Sequence, residues 1–126
     1  MGFSVTPSEA LGALEPLLDA VRRKMDQAIQ SDQPGLRELI PSVSHFRGKM
    51  LRPALTLTCA EVCGADPQSD AARVLSATVE LIHISTLVHD DVLDEADLMR
   101  NTPTINALQG NEAAVILGDW FTDFPL

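Results

Sequence analysis

The sequence predicts an all-α fold on three observations. Apolar residues recur every three or four positions in several segments, which is the period of an amphipathic helix. Residues that favour helix starts and stops, such as an early Thr-Pro and a terminal Gly, border these segments. No segment has a convincing strand pattern, and no linker or internal repeat interrupts the 126 residues. We therefore expect residues 1–126 to form one domain built from helices.

The first predicted helix begins in the segment TPSE. Thr6 suits the N-cap, Pro7 the first turn, and Glu9 the position that completes a capping box. Pro16 lacks the N–H group that an interior helix position needs, so we expect it to kink or split this helix. The apolar positions at helical spacing are Leu11, Leu14, Leu18, Val21, Met25 and Ile29.

The helices that follow are bounded by proline and glycine. SDQPG breaks the chain at 31–35, and a shorter helix follows over 36–46, although Pro41 falls in its middle. The next helix begins near Pro53 and ends at Gly64, the usual C-terminal residue. After the loop ADPQSD, the longest helix runs from about Asp70 to Asp94. A short helix within TPTINALQG and another that begins in NEAAVILGDWF complete the prediction.

The two cysteines and the N-terminus bear on the location of the chain. Cys59 and Cys63 lie four residues apart in an apolar helix, where we expect two small core residues. Their spacing does not fit a zinc finger, and two free thiols suit a reducing cytoplasm. The N-terminus lacks the basic start and apolar core of a signal peptide. No uninterrupted apolar run reaches about 18 residues, so we expect a cytoplasmic protein without a transmembrane segment.

The composition is that of an acidic globular protein. It is 45% hydrophobic and 21% charged, with a net charge of -9. A nucleic-acid surface needs a stripe of Lys and Arg, so we expect no nucleic-acid partner.

The long helix carries a narrow charged stripe on an otherwise apolar surface. At about 100° per residue, Glu80, His83, Asp90, Asp91 and Asp94 fall within one stripe about 100° wide. Most of the remaining surface is Val, Leu and Ile, so we expect neighbouring helices to enclose this helix almost completely. A solvated charged face would also carry Lys or Arg one turn away, and this one carries none. The carboxylates therefore face a cation that the helix does not supply.

Magnesium is the cation that best fits these carboxylates. Proteins hold Mg2+ with a few carboxylates, its own waters and substrate phosphates, so Asp90, Asp91 and Asp94 are candidate metal ligands. Calcium is less suitable because DDVLDEADL lacks the EF-hand pattern. A second alternative treats His89 and Asp90 as the metal-binding pair of an HD-type phosphohydrolase. His89 falls about 100° from Asp90 on the helix, which weakens that alternative.

A magnesium cluster implies a phosphate ligand, and FRGKMLRPA at 46–54 offers cationic contacts for one. Lys49 and Arg52 lie three residues apart at a helix start, whose amide N–H groups also attract phosphate. Arg47 and Arg100 are further cations close to these motifs in the sequence. Alone, such a basic segment is more often a plain surface feature. Together with DDVLD, it predicts half of a site for two anions.

The chain resembles the N-terminal portion of the trans-isoprenyl (polyprenyl) diphosphate synthases, closest to the octaprenyl and decaprenyl type, in three segments: GKMLRPALTL, ELIHISTLVHDDVLDEADL and PTINALQGNEAAVILGD. The resemblance covers most of the chain beyond about residue 36. It implies the N-terminal part of the isoprenoid synthase bundle, in which helices surround a central cavity, usually in a homodimer. It also implies a transferase that uses Mg2+ to condense an allylic diphosphate with isopentenyl diphosphate.

The resemblance assigns roles residue by residue. The first aspartate-rich motif, which holds the allylic diphosphate through Mg2+, corresponds to Asp90, Asp91 and Asp94. The residues that bind the diphosphate of isopentenyl diphosphate correspond to Lys49, Arg52 and His83, and we add Arg100 as a further substrate-binding residue. In this family, residues one and two turns before the first aspartate line the floor of the chain-elongation pocket. Ile82, Ser85 and Thr86 occupy that region, and the small Ser and Thr favour long products.

The chain departs from the family pattern at three places. Arg47 stands where the first of two glycines is usual, and Met99 and Asn101 stand where the family has Arg and Gly. Met99 removes one charge-assisted contact expected for the allylic diphosphate. The family's second aspartate-rich motif does not occur in the 126 residues. We therefore expect a synthase segment that carries the first motif only and is inactive alone; the alternative is a non-catalytic helical partner subunit of a heteromeric prenyl synthase.

Overall fold

A computed structural model of the chain describes residues 4–30, 32–43, 48–99 and 102–122. The helices and strands, in chain order, are α1 Pro7–Ala28, α2 Pro34–Val43, α3 Leu51–Val62, α4 Asp70–Leu93, β1 Leu98–Met99, β2 Thr102–Pro103, α5 Ile105–Gln109 and α6 Asn111–Thr122. The all-α prediction is confirmed, since the two strands contribute only two residues each. Arg47, Arg100, Asn101 and the side chain of Met99 lie outside the described residues.

Helix α1 begins with the predicted capping box. The Thr6 N–H donates to Glu9 Oε2 at 2.8 Å, and the Glu9 N–H donates to Thr6 Oγ1 at 3.3 Å. Pro16 does not split α1, which runs unbroken through it. Because Pro16 has no N–H, only the Gly12 carbonyl lacks its helical hydrogen bond. Gly12 is exposed, so water can bond to this carbonyl instead.

Helix α3 ends with the predicted glycine in a Schellman motif. The Ala65 N–H donates to the Ala60 carbonyl at 2.8 Å, and the Gly64 N–H donates to the Glu61 carbonyl at 2.9 Å. Gly64 has a φ of 85°, a left-handed backbone that glycine adopts without steric cost.

Helix α4 is the central element, and it packs against α1, α3, α5 and α6. Ser69 caps its start by accepting the Ala72 N–H at 3.2 Å. The core around it is apolar and comes from all the longer helices: Leu18, Val21 and Met25 of α1, Ala54 and Leu57 of α3, Leu81, Ile84 and Val88 of α4, and Ala114, Leu117 and Phe121 of α6.

The prediction that neighbours enclose α4 almost completely is wrong for the described part of the chain. Leu75, Ile82 and Leu93 stay exposed, Leu93 by 79%, on a surface that we call the open stripe. The helices that pack on α4 cover its other sides and leave this one free. Helix α3 likewise exposes Leu51 and Leu55.

The two cysteines are exposed and free, so the prediction that they are core residues is wrong. Helix α3 buries the side that carries Ala54 and Leu57. At about 100° per residue, Cys59 points about 200° away from Leu57 and therefore faces outward. Apolar composition alone did not reveal which side of the helix is packed.

Helix α4 is also long and apolar enough to cross a membrane, judged by length and composition alone. This helix contains a few charged residues, so it is not an uninterrupted apolar run. The core helix of a helical bundle has the same length and composition, and α4 packs on four other helices.

Candidate functional site

The three motif aspartates lie at the C-terminal end of α4. The helix ends at Leu93, Asp94 is the C-cap residue, and the Asp94 N–H donates to the Asp90 carbonyl at 2.8 Å. Asp90 and Asp94 are exposed, and Asp91 is half-buried. The structure thus brings all three to one helical turn.

This helix end is an unfavourable place for three negative charges. The C-terminus of a helix carries the negative end of its dipole, and α4 has no basic residue in its last turn to offset it. Burial, followed by the charges of Asp94 and Asp90, raises the pKa of Asp91 above its ordinary value. The Asp91 Oδ2 atom is buried without a hydrogen-bond partner. A bound cation would relieve each of these costs.

The donor set fits Mg2+, which prefers hard carboxylate oxygens and keeps several waters. In the described residues, however, no three His, Cys, Asp or Glu side chains converge closely enough to form a complete metal cage. The three carboxylates can therefore supply part of a coordination shell, and a ligand phosphate would have to supply the rest.

Lys49 and Arg52 flank the start of α3, and both are exposed. Met50 between them is the N-cap residue, has a left-handed φ of 58°, and offers no side-chain hydrogen bond to the first turn. Its side chain is buried in the core, which fixes the backbone here. The first N–H groups of α3 and two cations thus border the same helix start, a favourable arrangement for an oxyanion.

Glu80 of α4 connects this helix start to the central helix. Its side chain is only 3% exposed, and its Oε2 atom has no hydrogen-bond partner. Burial raises the pKa of Glu80, and the charge of Arg52 partly opposes that rise. The sequence pattern places Glu80 in the charged stripe and gives it no further role. Its electrostatic interaction with Arg52 has no local sequence signal because the two residues lie on different helices.

His83 is half-buried one turn after Glu80, and its carbonyl accepts the Thr86 hydroxyl at 2.7 Å. Seven residues separate His83 from Asp90, which corresponds to about 10 Å along the helix at 1.5 Å per residue. Helix α4 therefore carries the acidic and the histidine-containing ends of the candidate site on one rigid element. Arg100, the remaining candidate for substrate binding, lies outside the described residues.

The structure separates the three candidate residues of the chain-elongation pocket. Ser85 is 2% exposed, and its hydroxyl donates to the Gly118 carbonyl of α6 at 2.8 Å. Ile82 and Thr86 are exposed on another side of α4. Ser85 therefore borders the α4–α6 contact, whereas the other two border open solvent.

Helices α4 and α6 approach closely beside the aspartates. A Cβ atom at Gly118 would overlap the imidazole ring of His89. His89 Nε2 lies 3.3 Å from the Val115 carbonyl and 3.4 Å from Asp119 Oδ1. These contacts turn His89 towards α6, so it does not join Asp90 as the metal-binding pair of an HD-type site.

The comparisons with known proteins agree with the resemblance in the sequence. The polyprenyl synthetase family model matches residues 33–123. Nonaprenyl diphosphate synthase of Mycobacterium tuberculosis is 34% identical over 118 residues, which are 94% of this chain and 33% of the relative.

Two solved structures have the same fold over most of the chain. A decaprenyl diphosphate synthase from Rhodobacter capsulatus matches with a TM-score of 0.83 and 35% identity, covering 91% of this chain and 35% of that one. A polyprenyl synthase from Caulobacter crescentus, complexed with calcium and isoprenyl diphosphate, matches with a TM-score of 0.83 and 31% identity. The match covers 97% of this chain and 37% of that one. This chain spans about a third of the length of these proteins.

Proposed function

Because the chain belongs to the polyprenyl synthetase family, we propose that it carries the first aspartate-rich motif of a polyprenyl diphosphate synthase, a transferase that condenses an allylic diphosphate with isopentenyl diphosphate. The observation that carries the proposal is the set of three aspartates on the last turn of α4, with an unpartnered Asp91 oxygen among them. The chain corresponds to the N-terminal part of such an enzyme and works together with a second aspartate-rich motif supplied by other residues.

Asp90, Asp91 and Asp94 would hold Mg2+ at the allylic diphosphate. When bound, the metal neutralises the charge that develops on the departing diphosphate. The neighbour from Caulobacter crescentus, complexed with calcium and isoprenyl diphosphate, supports a divalent cation and a diphosphate as ligands. Helix α4 contributes by presenting the three carboxylates within a single turn.

Lys49, Arg52 and His83 would bind the diphosphate of isopentenyl diphosphate. The exposed cations at the start of α3 can reach an incoming anion, and the uncapped helix N-terminus adds amide donors. The buried Glu80 carboxyl also attracts Arg52 electrostatically. In the proposed reaction the isopentenyl double bond attacks the allylic carbon, and exclusion of water would protect the cation that forms.

Product length depends on the side of α4 that precedes the aspartates. We propose that Ile82 and Thr86 border the elongation pocket from the exposed side of α4 and that Ser85 borders it from the α4–α6 contact. The small Ser and Thr side chains leave room for a long product. Two of the reported relatives have long-chain products in their names, nonaprenyl and decaprenyl diphosphate synthase. A homodimer in the cytoplasm, without nucleic acid, remains part of the proposal.

A non-catalytic helical partner subunit is the second candidate. The open stripe of α4 is compatible with both candidates, because Leu75, Ile82 and Leu93 form an apolar surface that further helices of a synthase or a partner subunit would cover. Met99, in place of the expected arginine, favours the partner subunit. Sequencing the gene beyond the codon for Leu126 separates the candidates, since a continuing frame with a second DDxxD motif identifies a synthase.

Calorimetric titration of the chain with an allylic diphosphate tests the proposal. We expect binding that requires Mg2+. Lys49→Ala and Arg52→Ala should weaken binding of isopentenyl diphosphate and leave Mg2+-dependent allylic binding unchanged. Lys24→Ala is the matched control, because Lys24 pairs with Asp70 at 3.1 Å, away from the site. Allylic binding that is the same with and without Mg2+ would overturn the proposal.

A further inference from the structure

The end of α4 is held by two polar residues that the proposed chemistry does not use. Thr104 is 0% exposed, and its hydroxyl donates to the Ala96 carbonyl at 2.7 Å. Asn106 Nδ2 donates to the same carbonyl at 2.9 Å. A single backbone oxygen, two residues after Asp94, thus accepts two side-chain hydrogen bonds from the segment that begins α5.

These bonds fix a turn that the local sequence does not favour. The Ala96 N–H donates to the Asp91 carbonyl at 2.9 Å, and the Glu95 N–H donates to the Val92 carbonyl at 3.2 Å, which is the pattern of a Schellman motif. Glu95 occupies the position where glycine is usual, with a left-handed φ of 52°. A non-glycine residue costs about 1–2 kcal/mol in this conformation, so neighbouring contacts must hold it there.

The same contacts reach the aspartates themselves. Asn106 Nδ2 lies 3.5 Å from the Asp91 carbonyl, and the Thr104 N–H donates to the Asp97 carbonyl at 3.0 Å. If Glu95 relaxed to a right-handed conformation, α4 would continue past Asp94 and the chain after it would move. The clamp formed by Thr104 and Asn106 therefore determines where the helix stops relative to its carboxylates.

We propose that Thr104 and Asn106 are positioning residues for the first aspartate-rich motif: their hydrogen bonds to Ala96 hold the end of α4 so that Asp91 and Asp94 can ligate one cation. The inference rests on the proposed function, because it concerns the same cation. It adds two residues whose side chains bond to the Ala96 carbonyl in the turn after Asp94. Outer residues that orient metal ligands change metal affinity by about 10- to 100-fold when they are removed.

The test uses three variants of the chain. Thr104→Val keeps the shape of the side chain and removes the hydroxyl, whereas Thr104→Ser keeps the hydroxyl. Thr78→Val is the matched control, because Thr78 lies in α4 and its hydroxyl also donates to a backbone carbonyl at 2.7 Å, that of Val74. Mg2+ affinity is measured by calorimetry in the presence of inorganic pyrophosphate, and amide hydrogen exchange is measured at Glu95 and Ala96.

We expect Thr104→Val to weaken Mg2+ binding by at least about tenfold and to speed exchange at both amides. Thr104→Ser, which keeps the hydroxyl, should have the Mg2+ affinity and the amide exchange rates of the parent chain. Thr78→Val should leave both quantities within about twofold of the parent chain. Should Thr104→Val fail to fold, Asn106→Ala provides the same two readouts with the Thr104 bonds intact. Unchanged Mg2+ affinity in the folded Val or Ala variant, or failure of Ser to restore it, would overturn the inference. The parent chain is measured first, and a parent chain that does not bind Mg2+ would instead reject the proposed function. The two failures are therefore distinguishable.

Discussion

Replacing Glu80 by methionine should stabilise the chain at neutral pH. Glu80 is buried with one oxygen lacking a partner, and an unsatisfied buried polar group costs about 1–3 kcal/mol. Methionine has a similar length and needs no hydrogen bond. Arg52 recovers part of the cost in the parent chain, but its guanidinium is exposed and its attraction is screened. We therefore expect a gain near the lower limit, about 1 kcal/mol, or about 4 °C in melting temperature for a chain of this size.

The gain should depend on pH. Burial raises the pKa of Glu80 in the folded chain above its ordinary value of 4.5. The protonated carboxyl is therefore favoured by folding, and this contribution is fully present below the unfolded pKa and is lost as the pH rises through the folded pKa. The difference between the Met variant and the parent chain should thus be small at pH 4 and should widen towards pH 7.

Thermal unfolding followed by circular dichroism at both pH values measures this difference. Glu61→Met is the control, because Glu61 is exposed on α3 and its replacement should change stability by no more than about 0.5 kcal/mol. A lower melting temperature for Glu80→Met at pH 7 would refute the reasoning. It would mean that Arg52 stabilises the carboxylate by more than burial destabilises it.

Three further predictions concern the site. Asp90→Asn combined with Asp94→Asn should abolish Mg2+-dependent diphosphate binding while circular dichroism shows unchanged helix content; surviving binding would mean that the metal lies elsewhere. In a full-length enzyme that carries this segment, Met99→Arg should lower the KM for the allylic substrate by at least about tenfold, and more than the KM for isopentenyl diphosphate, because it adds a charge-assisted contact. An unchanged allylic KM would show that another residue already fills this role. Ser85→Phe in the same enzyme should shorten the products, and chromatography of the prenyl chains measures this. Because Ser85 is packed against Gly118, the Phe variant also costs about 1–3 kcal/mol of stability, and Thr86→Phe on the exposed side is the comparison. Product lengths that neither variant changes would contradict the placement of the pocket.

The helices that carry their own end signals could be predicted from the sequence. Thr6 and Glu9 form the expected capping box, and Gly64 ends α3 as expected, because these contacts lie within a few residues of each other. The minimal β1–β2 hairpin was missed, since strands of two residues are too short to show an alternating pattern.

Contacts between distant residues could not be predicted in the same way. Periodicity placed Asp90, Asp91 and Asp94 at the end of one helix, but it did not show that Asp91 is half-buried or that Thr104 and Asn106 hold the turn after it. The exposed positions of Cys59 and Ile82 depend on which helices pack against α3 and α4. A helical pattern gives the spacing of a face, and only the packing of other helices decides whether that face is buried.

The central claim is that this chain supplies the first aspartate-rich motif of a polyprenyl diphosphate synthase. The direct test is a condensation assay with farnesyl diphosphate, labelled isopentenyl diphosphate and Mg2+, with and without a separately produced polypeptide that carries the second aspartate-rich motif. We expect no turnover by the 126-residue chain alone, turnover on mixing, and loss of that turnover with Asp90→Asn and Asp94→Asn together. Turnover by the isolated chain, or turnover on mixing that the double variant leaves unchanged, would contradict the claim.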